Sequence, residues 1–203
     1  MWIFLWVLFS AFVMGAFLWS VRILFQQKMA WKKYAQKTGL TYNEQKGALN
    51  SPYLTGSLGA YGFGLFSEPQ ATNDSRGQRY VTVLEFILRK GLGTLGVIGT
   101  SKMVPFADNL QVTQAVNLSD KDWDATWFIR SNNAALTEKY MTPARIDIFK
   151  KIFRMKILGA ILIFDENESV LRIETSDPLN DADRVEKIVK GFMAHLPALV
   201  PET

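Results

Sequence analysis

The first 21 residues, MWIFLWVLFSAFVMGAFLWSV, carry no charged side chain, and the first charge in the chain is Arg22. As an α-helix, the stretch from Trp2 to Val21 rises about 30 Å at ~1.5 Å per residue, the thickness of a bilayer hydrocarbon core. A cleaved secretory signal needs a basic stretch before a shorter apolar run, and a small-x-small site after it. Nothing basic precedes Trp2, and Ser20-Val21-Arg22 continues into ILFQQK. Residues 1–25 therefore read as an uncleaved, single-pass anchor. Trp2, Trp6 and Trp19 suit the two membrane interfaces. Ala11 and Gly15, small residues four apart, would allow another helix to approach closely.

Orientation follows from the basic flank. Arg22, Lys28, Lys32, Lys33 and Lys37 all follow the apolar run and none precedes it, so the positive-inside rule places the bulk of the chain in the cytoplasm and the N-terminus outside. The chain has no cysteine, which agrees with a reducing compartment. The next segment, residues 26–40, is proline-free and rich in helix formers, and it closes at Thr38-Gly39, where glycine suits a helix C-terminus. It reads as a juxtamembrane helical stalk, with Trp31 and Tyr34 at or just beyond interfacial depth and its lysines within reach of lipid phosphates.

Residues 41–203 read as one soluble α+β domain, whose 6–7 mainly antiparallel strands are packed by 3–4 helices. Gly59-Ala60 suits a type II′ hairpin turn, with Tyr61, Phe63 and Leu65 on one face and Gly62 and Gly64 leaving the other bare. EPQATNDSRGQ, residues 68–78, reads as a polar loop. RYVTVLEFILRK reads as a long strand, and LGVIGTSKM as its partner across the GLGTLG turn. The stretch from Pro105 to Asp124 is less regular; WFIRS is a short strand and NNAALTEKYM a short helix. Thr142-Pro143 opens a helix carrying Ile146, Phe149, Ile152 and Phe153 at helical spacing. KILGAILIFD and ESVLRIETS form a hairpin around Glu166-Asn167. A closing helix from Asp181 to Leu196 carries the stripe Val185, Ile188, Val189, Phe192 and Leu196, and Pro197 ends it. Hairpin connections predominate, which favours an antiparallel sheet over a doubly wound one.

Several chemistries fail on their spacing. GLGTLG, residues 91–96, matches the letters of a dinucleotide fingerprint, but that motif must open a helix, and the β-branched VIGTSKMVP follows it instead. Asp120, Asp122 and Asp124 resemble the start of a calcium loop, yet Ala125 and Ser131 occupy the positions that need glycine and glutamate, so the run reads as a solvated turn. With His195 the one histidine and no cysteine, neither a zinc site of the usual ligands nor a cysteine nucleophile can be assembled. His195 sits where the dipole of a helix C-terminus favours it. No catalytic residue, cofactor site or metal site is assigned, and the chain reads as non-enzymatic.

Two basic features remain. Arg89, Lys90 and Lys102, with Leu92 and Leu95 at the glycine-rich tip, make a candidate docking loop for lipid headgroups or a partner. Arg145, Lys150, Lys151, Arg154 and Lys156, against Asp147 alone, make a candidate basic surface on the helix after Thr142, although any core-packing helix leaves such a solvated face. The basic part of the chain lies near the membrane and residues 165–187 are acidic, so the pI of about 9.2 points to an anionic leaflet and not to nucleic acid. The expected partners are the lipid bilayer and an integral membrane protein complex; oligomeric state is left open. The leading expectation is a membrane-anchored accessory, assembly or scaffolding protein that docks a larger membrane complex. The alternative is a module that binds a lipid or another apolar small molecule. A carboxylate-dependent enzyme, the third class, would need an acidic cleft with displaced pKa values.

Overall fold

Short β-branched and aromatic runs joined by tight turns can bury their apolar faces only by pairing with one another, and here they do so in one eight-stranded sheet. The computed structural model describes residues 2–45, 47, 50–69, 80–118 and 120–201. A single helix, α1 (Trp2–Thr38), leads into β1 (Thr41–Asn43), β2 (Tyr53–Leu58), β3 (Tyr61–Pro69), β4 (Tyr80–Ile87) and β5 (Gly96–Thr100). A 3-10 turn (Ser101–Met103) and α2 (Val104–Asn109) precede β6 (Trp127–Ser131). Then come α3 (Ala134–Tyr140), α4 (Pro143–Phe153), β7 (Gly159–Phe164), β8 (Ser169–Thr175), α5 (Ala182–Met193) and α6 (Leu196–Leu199). Every pairing is antiparallel, in the order β1-β2-β3-β4-β8-β7-β5-β6. The class is the expected α+β, with more strands than the sequence suggested. Most of the expected polar loop, residues 70–78, lies outside the described residues; its first two positions extend β3.

Local signals act as their chemistry requires. Gly59 has φ +62° between β2 and β3, and Ala60 does not share the positive φ, as a II′ turn demands. Thr142 accepts from the Arg145 backbone N–H at 3.4 Å with Pro143 at the first turn, and Asp181 caps α5 through the N–H groups of Asp183 and Arg184. Pro197 does not end the last helix: α5 stops at Met193, and Pro197 lies in the first turn of α6.

One face of the sheet carries the main core. Leu54, Leu65, Leu84, Phe86, Ile98 and Leu162 pack there against α1 and α3–α6. The other face is covered in part by α2, through Val97, Met103, Ala107 and Ile161.

Two sequence expectations are corrected. β4 and β5 do not form a hairpin: β8 and β7 lie between them, so GLGTLG is a crossover along one end of the sheet. The crossover is pinned, since the backbone N–H groups of Leu92 and Gly93 both donate to the Asp165 carbonyl, at 2.8 and 3.2 Å. A Cβ on Gly91 would lie 2.4 Å from that same carbonyl oxygen. Gly91→Ala should therefore cost about 1–3 kcal/mol by overpacking against backbone, read as a lower denaturation midpoint. An unchanged midpoint would mean that the crossover moves as freely as a hairpin tip.

The second correction concerns residues 26–40, the expected juxtamembrane stalk, which is helical but packs into the core of the domain instead of standing between it and the membrane. Ala30, Trp31, Tyr34 and Ala35 are core residues, and Trp31, 0% exposed, donates its indole N–H to the Leu179 carbonyl at 3.1 Å. Trp31 is therefore not a membrane anchor. The α1 residues before it form a helix long and apolar enough to cross a membrane, and that apolar window is 0% buried.

Candidate functional site: two grooves where the long helix meets the domain

α5 runs alongside the second half of α1 in the same direction. Gln26 receives the Asn180 amide at 3.2 Å, Gln27 Nε2 donates to the Pro178 carbonyl at 2.8 Å, and further along Lys37 pairs with Glu186. Hydrogen bonds from Lys190 and Lys37 hold the Glu186 carboxylate down at about 2. These contacts fasten the loop 176–180 and α5 to the helix that enters the apolar span.

Among the described residues no helix covers the gap between α5 and the irregular segment 154–158, and a groove of about 980 Å³ remains there. Its floor is the buried Leu84, Ile173 and Phe192, and its walls are the half-buried Ile188, Met155 and Ile157. Lys156, Asp183, Arg184 and Lys187 line the rim, where Arg184 pairs with Asp177. The groove begins at Ser176–Pro178 and follows α5 to Gly191, about 12 Å at the rise of a helix. Size and apolar lining are those of a small-molecule site.

A second groove, of about 620 Å³, lies on the other side of the same loop and shares Ser176 and Pro178 with the first. Ser20, Ile23, Leu24 and Gln27 of α1 form one wall, and Ser67 and Thr82 lie in the sheet opposite.

The residues singled out from sequence are dispersed. Trp2, Trp6 and Trp19 are exposed on α1, with the Arg22 guanidinium 6.0 Å from the Trp19 ring. Lys28 pairs with Glu44 at 3.7 Å, and Lys32 and Lys33 are exposed. Ala11 and Gly15 are bare, and a Cβ on Gly15 would meet nothing within 4 Å. In the crossover, Arg89 is exposed and donates to the Ser57 hydroxyl at 2.9 Å, and the Lys90 carbonyl accepts from Ser169. Leu92 is half-buried against the main core and Leu95 is half-buried too. Lys102 lies beyond the far end of β5, so it does not join them.

The basic surface loses two of its five members. Arg145, 6% exposed, donates to the carbonyls of Tyr140, Ala198 and Val200 and stacks on the Tyr140 ring, while Lys150 is buried against Asp120 at 2.9 Å. Both serve the fold, leaving Lys151, Arg154 and Lys156 exposed. The acidic run is a turn: Asp120 is held by Lys150, and Asp124 accepts from the Thr126 backbone and hydroxyl.

The grooves themselves went unread in the sequence. The apolar stripe of α5 named Ile188 and Phe192, but nothing local said that Met155 and Ile157 would leave them partly uncovered.

No family model matches the chain, and no curated protein does. Among solved structures, the crystal structure of the mycobacterial trehalose monomycolate transport factor A, TtfA, is similar in outline. Its TM-score is 0.49 with 10% identity, covering 87% of this chain and 98% of that chain. A likeness at that level says nothing of shared function.

Proposed function

We propose that the protein is a single-pass, membrane-anchored, non-enzymatic accessory module whose domain takes up an amphiphile from the adjoining leaflet into the groove along α5. The observation that carries this is position: an apolar-floored groove of about 980 Å³ begins at the loop that Gln27 and Trp31 bond to α1, directly after the membrane-length run. Because α1 is one helix from the apolar run into the core, the groove is held at a fixed place relative to the bilayer. The exposed Arg22, Lys32 and Lys33 support a cytoplasmic domain. Among the described residues, the groups whose pKa is displaced, such as Tyr34, Glu85, Tyr140 and Glu186, line neither groove, which favours binding over catalysis.

Native mass spectrometry of the full chain released from bilayer nanodiscs tests it. The expected result is a retained lipid adduct that disappears in Gly191→Phe, a substitution at the groove wall where a Cβ meets nothing within 4 Å. Lipid-free protein, or an adduct indifferent to Gly191→Phe, would overturn the reading.

Docking onto an integral membrane complex is the second reading. It is favoured by the span itself, whose most apolar window is touched by nothing among the described residues, and by the open space beside Gly15. Stoichiometric membrane partners recovered in mild detergent and lost in Gly15→Leu would support it; a partner-free protein would remove it.

A further inference from the structure

The groove along α5 is apolar below and charged above, and its charges are unevenly engaged. On α5, Arg184, Lys187, Ile188 and Gly191 are related by steps of three and four residues, which puts them on one face of the helix. That face lines the groove, across from Met155, Lys156 and Ile157. Val185 and Val189 turn to the core instead, and Glu186 turns to α1, where it holds Lys37 and is held in turn by Lys190.

Arg184 is neutralised by Asp177 at the start of the groove. Asp183 lies at the edge nearer α1, close enough to Lys37 to favour its charge. Lys156 and Lys187 differ from these: both are exposed, one on each side of the groove, and neither has an ion pair or hydrogen bond among the described residues. Lys187 follows Asp183 by four residues, the spacing at which an acid and a lysine pair on a helix, and still does not pair with it. Two ammonium groups thus flank a trough whose floor is the buried Leu84, Ile173 and Phe192. Gly191 is a second observation. Glycine weakens a helix, and nothing among the described residues requires it here, since its φ is not positive and a Cβ would meet nothing within 4 Å. Its bare backbone opens the α5 wall, which suits an apolar chain laid closely against it.

We infer that the amphiphile of this groove is anionic: a membrane lipid whose chain lies beside Gly191 on the floor of Leu84, Ile173 and Phe192, and whose negative headgroup sits between Lys156 and Lys187. The inference rests on the groove being a lipid site, as proposed above, and adds the charge of its occupant. Apolar floor and cationic rim match the two halves of such a molecule. Burial of the chain supplies affinity, and each ammonium can donate to phosphate or carboxylate oxygens as a point charge, without a fixed approach. A zwitterionic headgroup brings its own cation to the same rim, where the two ammonium groups repel it.

The experiment uses the full chain in nanodiscs of phosphatidylcholine and phosphatidylglycerol, in equal amounts and with the same acyl chains, and the lipid retained on release is read by native mass spectrometry. The expected result is a preference for phosphatidylglycerol of about tenfold, equivalent to ~1.4 kcal/mol. Lys156→Gln combined with Lys187→Gln should bring the ratio close to one and leave the thermal midpoint unmoved, because both side chains are exposed. Lys32→Gln combined with Lys33→Gln, also exposed, controls for general attraction to an anionic surface and should leave the preference intact. A retained lipid that is lost in Gly191→Phe but shows no preference, or a preference that follows the α1 pair and not the groove pair, would overturn the inference while leaving the groove as a lipid site. No retained lipid, or one indifferent to Gly191→Phe, would overturn the lipid site and the inference with it.

Discussion

Trp31→Ala should lower the folding stability of the domain by roughly 3–5 kcal/mol, the usual cost of deleting a large buried aromatic. For a chain of this size each 1 kcal/mol moves the thermal midpoint by about 2–4 °C, so a loss on the order of 10 °C is expected in detergent. The indole is 0% exposed, and its N–H holds the Leu179 carbonyl at 3.1 Å, so the substitution opens a cavity and frees the loop that ends both grooves. Trp19→Ala is the control: Trp19 is 64% exposed on the span, and its loss should leave the domain's midpoint unmoved. The same contacts set the domain boundary. A chain beginning at Arg22 should fold, whereas one beginning at Thr41 lacks Ala30, Trp31, Tyr34 and Ala35 of the main core and should not unfold cooperatively. Cooperative unfolding of the shorter chain at the same midpoint would restore residues 26–40 as a stalk outside the domain.

Arg172→Met should also be costly at neutral pH, about 1.5–3 kcal/mol, because it removes the charged hydrogen bonds of three partly buried carboxylates, Glu68, Glu85 and Glu174, whose side chains are 35%, 29% and 15% exposed. The Arg172 side chain, 5% exposed, pairs with Glu68, with Glu85 at 3.0 Å and with Glu174 at 2.9 Å on the sheet face under α2, where it also lies 4.9 Å from the Phe106 ring. Burial already raises the Glu85 carboxyl above its ordinary value. Without the guanidinium, three carboxylates face one another and push each other further up. A carboxylate whose folded pKa lies above its unfolded value takes up its proton on folding. It therefore favours the fold fully below the unfolded value, and that contribution is lost as pH rises through the folded value. The deficit of Arg172→Met relative to the parent should thus shrink as pH falls from neutrality toward the ordinary carboxylate range near ~4. Thermal midpoints measured across that interval decide it; a deficit independent of pH would show that the cost is packing alone.

The elements were largely legible because their signals are local. The II′ turn at Gly59, the Thr142-Pro143 and Asp181 caps, and the glycine after Thr38 each act within a few residues, and each appears where the sequence put it. Strand adjacency was not legible. VIGTSKM follows RYVTVLEFILRK across a glycine-rich turn, which is a hairpin signal, yet the β7–β8 hairpin displaces it by pairing with both strands. The candidate site was legible only in fragments. Ile188 and Phe192 stood out as an apolar stripe, but a stripe does not say whether its partner surface is complete.

By itself the sequence determined a membrane-length helix, because an uncharged run of that length is set by composition alone, and an antiparallel α+β domain, because turn chemistry and period are properties of neighbouring residues. Only the tertiary structure decided that Trp31 belongs to the core and not to the bilayer, that GLGTLG is pinned to Asp165, and that two grooves meet at Ser176–Pro178. Each of these joins segments distant in the chain. Such contacts form only when burial of a shared face outweighs the entropy of closing the intervening chain, a balance that no local pattern records.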